Sequence, residues 1–374
     1  MIARHLYVHV PFCGRRCTYC DFSIAVRRTV PVAEYLAALG HEIVRTGPRE
    51  LETVYLGGGT PSRLGGAGIT ALAQLLAVER ELAEFTIEAN PEDVSAESVR
   101  AWVRAGVNRV SLGAQSFDDR VLGWMHRTHD AARIGEAARA ARSGGIANLS
   151  LDLIFALPAS LARDWRRDLD LAIALEPDHV SFYGLTIEPG TPLFRQVDRG
   201  DASPAPEGRY EEEYLLAHER LGAAGYVFYE VSNAARTGRE AVHNRAYWRL
   251  EPYLGMGPAA HSFDGVSRWW NEPTYVRWHR KLEQGRSPVA GHEILNEHQR
   301  QLEAMYLGLR TRDGIALPEP LPPKLGEAVD RWVAAGWAIL MPEPVSSGAS
   351  VRPCVRARLT SLGWLRLDEL VASI

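Results

Sequence analysis

The chain has 374 residues, 46% of them hydrophobic, with 42 Lys and Arg against 46 Asp and Glu and a formal net charge of −4. That length and apolar content suit one large unit with a core of its own plus a smaller one, and the scattered arginines lack the basic excess of a general nucleic-acid binder. No run of 18 apolar residues predicts a membrane span, the opening MIARHLYVHV lacks the parts of a secretory leader, and four cysteines are too few for a disulfide framework, so a cytoplasmic protein is expected.

Six short apolar runs, at residues 5–10, 53–56, 85–88, 108–112, 147–154 and 179–183, alternate with helical patterns at 32–44, 68–82, 95–106 and 131–145. The alternation predicts βα units around a parallel sheet, an α/β partial (β/α)6 barrel. The runs are rich in Val, Ile, Leu and Tyr, as strands covered on both faces should be. Barrel, additional strand and helices are expected to occupy residues 1–240. Residues 241–290, rich in aromatic residues, His and Gly, read as a connecting region. Residues 291–374 read as a small α+β, winged-helix-like domain: a helix ending near Gly314, a helix at 324–336, strands at 337–341 and 355–360, and a closing helix at 362–374. The segment PVSSGASVRP, 344–353, reads as a surface loop between those strands.

Polar and glycine-rich motifs follow the strands: GGGTPS at 57–62, EANP at 88–91 and GAQSF at 113–117. In a barrel of βα units the loops at the strand C-termini build the site, so these motifs converge on one rim with the loop after the first strand. That loop holds three of the four cysteines, Cys13, Cys17 and Cys20, spaced C-x3-C-x2-C. Three close thiolates with no obvious fourth fit a four-iron cluster with one iron open to an outside ligand. A zinc knuckle completed by His9 or Asp21, in a non-catalytic scaffold, is the competing reading, and chance spacing the third.

YVHVPFCGRRCTYCDF, YLGGGTPS, EANP, SLGAQSF, HRTHD and LDLIFALP occur in this order. The set resembles the radical S-adenosylmethionine superfamily, in its coproporphyrinogen III oxidase-like branch, over essentially the whole chain. The resemblance implies a 4Fe–4S cluster on Cys13, Cys17 and Cys20 and bound S-adenosylmethionine. It places Tyr7 and Tyr19 beside cluster and cofactor, and Gly58, Gly59 and Thr60 at the methionine end. It gives Glu88, Gln115, Arg127 and Asp152 the polar contacts. The chemistry suits these roles: Arg127 can pair with a carboxylate in bidentate fashion, and Glu88 and Asp152 can accept from an ammonium or from ribose hydroxyls.

The oxidases of the branch resemble one another in a further cysteine, C-x3-C-x2-C-x-C, where this chain has Phe22. The C-D-F ending and HNRAYW at 243–248 are similar instead to the HemW-type haem chaperones. LPASL at 157–161 departs from that family's L-P-x-Q-T but touches no residue assigned to the cofactor. This resemblance implies haem binding and transfer to haem-accepting proteins such as membrane-associated respiratory enzymes, in a chain that dimerises with itself or not. His243 is the leading axial-ligand candidate and His261 the second. The alternative for His243 is a turn cap beside packed Tyr247 and Trp248. An oxygen-independent coproporphyrinogen III oxidase acting through a 5′-deoxyadenosyl radical is the runner-up activity. Whether this chain performs radical chemistry is left open by its residues.

Overall fold

The computed structural model describes residues 3–47, 50–78, 81–318, 320–342 and 354–374. The strands His5–Val10, Thr53–Gly58, Glu84–Ala89, Arg109–Gln115, Asn148–Phe155 and His179–Gly184 lie side by side in chain order, all parallel. Helices Val32–Thr46, Gly65–Leu75, Ala96–Arg104, Ala131–Ser143 and Trp165–Ala174 make the five crossovers, and Glu207–Ala223 follows the sixth strand. This is the α/β partial barrel expected from the alternation. The expected helix at 68–82 instead begins at Gly65 and ends at Leu75, and Ala77 turns the chain with φ 50°.

The strands are buried on both sides, but the two sides differ. Leu6, Val8, Val54, Leu56, Phe85, Ile87, Val110, Leu149 and Leu151 are 0% exposed and belong to the continuous apolar core. The alternate residues turn the other way. Register places Tyr7 opposite Tyr55, Glu88 opposite Ser111 and Asp152 opposite Ser181, so polar side chains share one face of the sheet.

The parallel sheet does not end with the six strands. Tyr253–Met256 pairs in parallel with the first strand, and His261–Phe263, Ser267–Asn271 and Val289–Ile294 continue antiparallel from it. Asn233–Ala235 and Val227–Glu230 extend the other edge, giving twelve strands. The stretch read from sequence as a connecting region thus contributes three strands and the start of a fourth to the sheet, with two helices beside them. Its strands are three to five residues long and interrupted by Gly255, Gly257 and Gly265, too short to show a period.

Glu42, on the helix Val32–Thr46, fastens this extension to the barrel. Its Oε2 accepts from the Gly257 amide at 3.0 Å and from Trp278 Nε1 at 2.9 Å, and its Oε1 accepts from Asn271 Nδ2. Trp278 is fully buried beside it.

At the C-terminal end, Cys354–Leu359 is the central strand of an antiparallel sheet, flanked by Ile315–Pro318 and Ala338–Pro342. Helices Glu297–Arg310 and Pro323–Ala334 pack with it in the same core. The strand Ile315–Pro318 was not expected, because prolines follow it closely. The single closing helix expected at 362–374 is two short helices, Ser361–Trp364 and Leu367–Ala372. Thr360 caps the first, and Trp364 Nε1 donates to the Leu309 carbonyl at 3.0 Å. The loop expected at 344–353 lies outside the described residues. Among the described residues no helix is long and apolar enough to cross a membrane.

Burial pushes the Glu42 carboxyl up from 4.5 to about 7. The native state therefore holds a proton that the unfolded chain has already lost. The stability this contributes is complete below pH about 4.5 and is lost as pH rises through about 7. The unfolding free energy of the wild type relative to Glu42→Gln should fall across that window by up to ~3 kcal/mol. Denaturant titrations at several pH values check this, and a difference that does not change with pH would mean Glu42 is ionised throughout.

Candidate cofactor site

The cysteine loop is held by backbone bonds. Cys13 lies in the short strand Phe12–Cys13, which pairs in parallel with Ala25–Val26, and the Arg27 amide donates to the Cys13 carbonyl at 2.9 Å. The Thr18 amide donates to the Met125 carbonyl at 3.2 Å, and the Leu193 amide to the Thr18 carbonyl at 2.7 Å. Tyr19 and Leu161 both pack against a small apolar cluster of Val121, Met125, Ile154 and Leu157. The leucines of LPASL thus back the cysteine loop without touching the cavity in front of it. Cys13, Cys17 and Cys20 are free thiols, half-buried. Burial pushes the Cys20 thiol up to about 11 and raises Cys13 as well. Among the described residues no group of three or more His, Cys, Asp or Glu is arranged to hold a single metal ion.

The glycine-rich strand end lies against this loop. The Gly59 amide donates to the Val10 carbonyl at 2.9 Å and the Thr60 amide to the Phe12 carbonyl at 2.9 Å. Thr60 Oγ1 reaches Cys13 Sγ at 3.3 Å. Gly58 has φ 103°, a conformation that side chains disfavour. A Cβ on Gly59 would stand 2.7 Å from the Pro11 carbonyl carbon and 2.8 Å from the Val10 oxygen. The Gly58 amide donates to Glu88 Oε2 at 3.1 Å, and the Tyr55 hydroxyl donates to Glu88 Oε1 at 2.9 Å. Burial raises Glu88 from 4.5 to about 7.

Arg127 crosses the same space. Its Nη2 donates to Asn90 Oδ1 at 2.7 Å and to the Gly113 carbonyl at 2.8 Å, while Nη1 points at Cys17 Sγ at 3.7 Å. Its Nε is buried with no hydrogen-bond partner among the described residues. A β-bulge after Gly113 leaves Gln115 with φ 66° at the strand end. Bulges beside sites serve to re-aim a side chain. Deeper in, Ser111 Oγ donates to both oxygens of Asp152, at 2.9 and 3.0 Å, and burial raises that carboxyl too.

One cavity of about 880 Å³ joins these groups, lined by Cys13, Cys17, Tyr19, Cys20, Gly58, Gly59, Thr60, Glu88, Gln115, Arg127 and Asp152. Three predicted residues are elsewhere, His261 among them, in the lining of a second cavity. Tyr7 backs the wall: its ring stacks on Tyr55 with centroids 6.1 Å apart, and it faces the same second cavity. His243 lies in the core, 0% exposed. Its Nδ1 bonds Thr53 Oγ1 at 2.7 Å and its Nε2 bonds the Tyr247 hydroxyl at 2.8 Å. Burial, with His5 and Arg109 nearby, lowers it to about 3. In this structure both ring nitrogens are hydrogen-bonded and the ring is buried, which matches the packing alternative for His243. It pins the helix Val242–Trp248 across the barrel, with the Val242 amide donating to Glu84 Oε2 at 2.6 Å.

Tyr55, Asn90, Arg109, Ser111, Ser181, Tyr183 and Asn244 also line the main cavity and were missed from sequence. A signal was present for the strand residues. Tyr55, Arg109, Ser111, Ser181 and Tyr183 fall on the same alternate positions as Glu88 and Asp152, so period two marks them.

The Radical SAM superfamily model matches residues 7–172. A Bacillus subtilis protein named "Heme chaperone HemW" is 34% identical over 333 residues, covering 87% of each chain. A Mycobacterium tuberculosis protein of the same name is 39% identical over 322 residues, covering 83% of each. The solved structure of coproporphyrinogen III oxidase (HemN) from Escherichia coli matches with a TM-score of 0.80 and 22% identity, covering 100% of this chain and 90% of that one, a shared fold.

The close approach at Gly59 yields a test. Gly59→Ala should displace the loop that carries Cys13 at a cost of about 1–3 kcal/mol, as overpacking against backbone does. A denaturant midpoint equal to that of the wild type would show that the loop yields freely.

Proposed function

The chain belongs to the HemW family of the radical SAM superfamily, and from that membership we propose that it binds haem and hands it to acceptor haem proteins. The superfamily implies a 4Fe–4S cluster and S-adenosylmethionine. The observation that carries the haem reading is a pairing within one chain. The cysteine loop ends in Asp21–Phe22 and HNRAYW lies on the helix Val242–Trp248, while relatives named as haem chaperones align over more than four-fifths of the length.

The residues suit the implied cofactors. Cys13, Cys17 and Cys20 would hold the cluster through deprotonated sulfurs, and their raised thiols mean that loading releases protons. The unpaired Nε of Arg127 would offer a charged donor to the carboxylate of S-adenosylmethionine, while Asn90 and the Gly113 carbonyl hold the guanidinium in place. Gly58 and Gly59 would leave room at the backbone for its methionine end, and Glu88 would accept from its ammonium. Gln115 and Asp152 are the polar groups left for the ribose. When bound, cluster and cofactor supply one-electron reduction at a sulfonium. The chain's own part is to bind, orient and keep water from that sulfonium.

Phe22 is 58% exposed at the mouth of the main cavity. Its position is the one at which the oxidase reading asks for a cysteine. An anaerobic assay on the reconstituted protein separates the readings: formation of protoporphyrinogen from coproporphyrinogen would overturn haem carriage as the sole activity. Haemin titration of the wild type should give a saturable, red-shifted Soret band, and its absence would overturn the haem reading itself.

Two further outcomes follow from the site. Each of Cys13→Ser, Cys17→Ser and Cys20→Ser should lose most of the iron and sulfide found in the wild type by chemical analysis. One zinc per chain with no sulfide would instead favour the zinc scaffold. Glu88 ionises near pH 7 in the empty site, so affinity for S-adenosylmethionine should rise with pH up to about 7 and then level. Below that it should lose up to about tenfold per unit. Glu88→Gln should weaken binding by roughly 10- to 100-fold and remove this slope, as read by calorimetry across pH.

A further inference from the structure

The strand Arg109–Gln115 ends irregularly. Gln115 has φ 66°, in the left-handed region, and the bulge after Gly113 shifts its pairing with Leu153. A residue with a side chain stays in that region only where its surroundings hold it there. The Gln115 side chain lines the main cavity and makes no hydrogen bond among the described residues. Its conformation is therefore set by the residues on either side of it.

Upstream, His129 Nε2 faces the Ala114 carbonyl at 3.4 Å, and the Ser116 amide donates to the same carbonyl at 2.9 Å. Downstream, Asp168 on the helix Trp165–Ala174 holds two consecutive residues. Its Oδ2 accepts from the Ser116 hydroxyl at 2.8 Å and its Oδ1 from the Phe117 amide at 2.8 Å. Asp168 is 2% exposed and Ser116 0%. One carboxylate with an oxygen on each of two neighbouring residues fixes the direction in which the chain leaves Gln115.

Asp168 is itself held. Arg163 Nη1 lies 3.4 Å from Asp168 Oδ2 and donates to the Ile154 carbonyl at 3.0 Å, while its Nη2 donates to Glu213 Oε2 at 2.6 Å. Glu213 Oε2 also accepts from the Ala156 amide at 2.7 Å, and Oε1 accepts from Arg209 Nε at 2.9 Å. The alternating charges tie the helices Trp165–Ala174 and Glu207–Ala223 to the C-terminal ends of two adjacent barrel strands. Buried pairs of this kind are weak evidence for stability alone. None of Asp168, Arg163, Glu213 and Arg209 lines the main cavity, so any effect they have on a ligand there passes through other residues.

Resting on the reading that the main cavity takes S-adenosylmethionine, we propose that Asp168 is a positioning residue for that site. Its two hydrogen bonds hold Gln115 left-handed, so that the free amide meets the ribose hydroxyls, and Arg163 and Glu213 hold Asp168 in its turn. A primary amide donates and accepts at once, which suits two neighbouring hydroxyls. A side chain placed before the ligand arrives loses less freedom on binding.

The test is a double-mutant cycle on the reconstituted full chain, with affinity for S-adenosylmethionine read by calorimetry. Gln115→Ala should weaken binding by roughly three- to tenfold, as loss of a neutral hydrogen bond does. Asp168→Ala and Ser116→Ala should each weaken it by no more than that, and by nothing further once residue 115 is alanine. Asp168→Asn, which keeps an acceptor for the Phe117 amide, should recover part of what Asp168→Ala loses. Asp168→Ala takes a carboxylate from Arg163 and should lower the melting temperature. Ser116→Ala leaves Arg163 untouched and should melt near the wild type, so the cycle runs on it even where Asp168→Ala folds poorly. Losses that add in full to that of Gln115→Ala would mean that Asp168 and Ser116 support the barrel in general, and would overturn the proposal. Wild-type affinity in Gln115→Ala, or in Ser116→Ala and Asp168→Ala together, overturns it as well. Wild-type protein that binds no S-adenosylmethionine overturns the cofactor reading itself, before any substitution is made.

Discussion

Much of this molecule follows from one carboxylate taken out of water. Glu88 sits inside the barrel with one oxygen on the Gly58 amide and the other on the Tyr55 hydroxyl. Neither bond would form if the strand end carried a side chain turned the other way. The positive φ of Gly58 aims its amide at Glu88, and the next amide holds the cysteine loop through the Val10 carbonyl. A charge of this kind is costly to bury unless a ligand of opposite sign arrives. The empty site avoids that cost by holding a proton near pH 7.

The same logic runs through the interior. Strand alternation leaves every second side chain facing inward, and this chain fills those places with groups that need partners. The rings near the floor are satisfied pairwise: Ser150 to His179 at 2.8 Å, His179 to Tyr229 at 2.7 Å, Thr53 to His243 at 2.7 Å. Toward the strand C-termini the partners thin out, and Arg127 keeps an unpaired nitrogen. Unpaired buried atoms occur at both levels, Arg109 Nε on the floor and Arg127 Nε at the mouth, and the one at the mouth lies beside the cysteine loop.

The six barrel strands were legible because their outward residues form apolar runs, and the cysteine, glycine and GAQSF motifs because local spacing carries their chemistry. The alternating inward residues could have been read too, yet Tyr55, Arg109 and Ser181 look ordinary until their neighbours across the sheet are known. His243 was legible as a motif residue, but its contacts were not: they join it to Thr53, 190 residues back along the chain, and to Tyr247, one helical turn ahead. The strands after residue 250 were hidden because each is short, and because the one that joins them to the barrel, Tyr253–Met256, pairs with the first strand of the chain. The bonds that fix them run through Glu42, some 215 residues earlier than the Gly257 amide it accepts from.

Tyr7 forms a party wall. One face of its ring stacks on Tyr55, which holds Glu88, and its side chain also borders the second cavity. Its hydroxyl contacts His9 at 3.2 Å, and His9 holds the Ser23 carbonyl just beyond the last cysteine of the loop. Two compartments therefore share one ring as their wall. If filling one compartment changes affinity in the other by some factor, filling the second must change the first by that same factor. Any such exchange would have to be written in the position of this one ring.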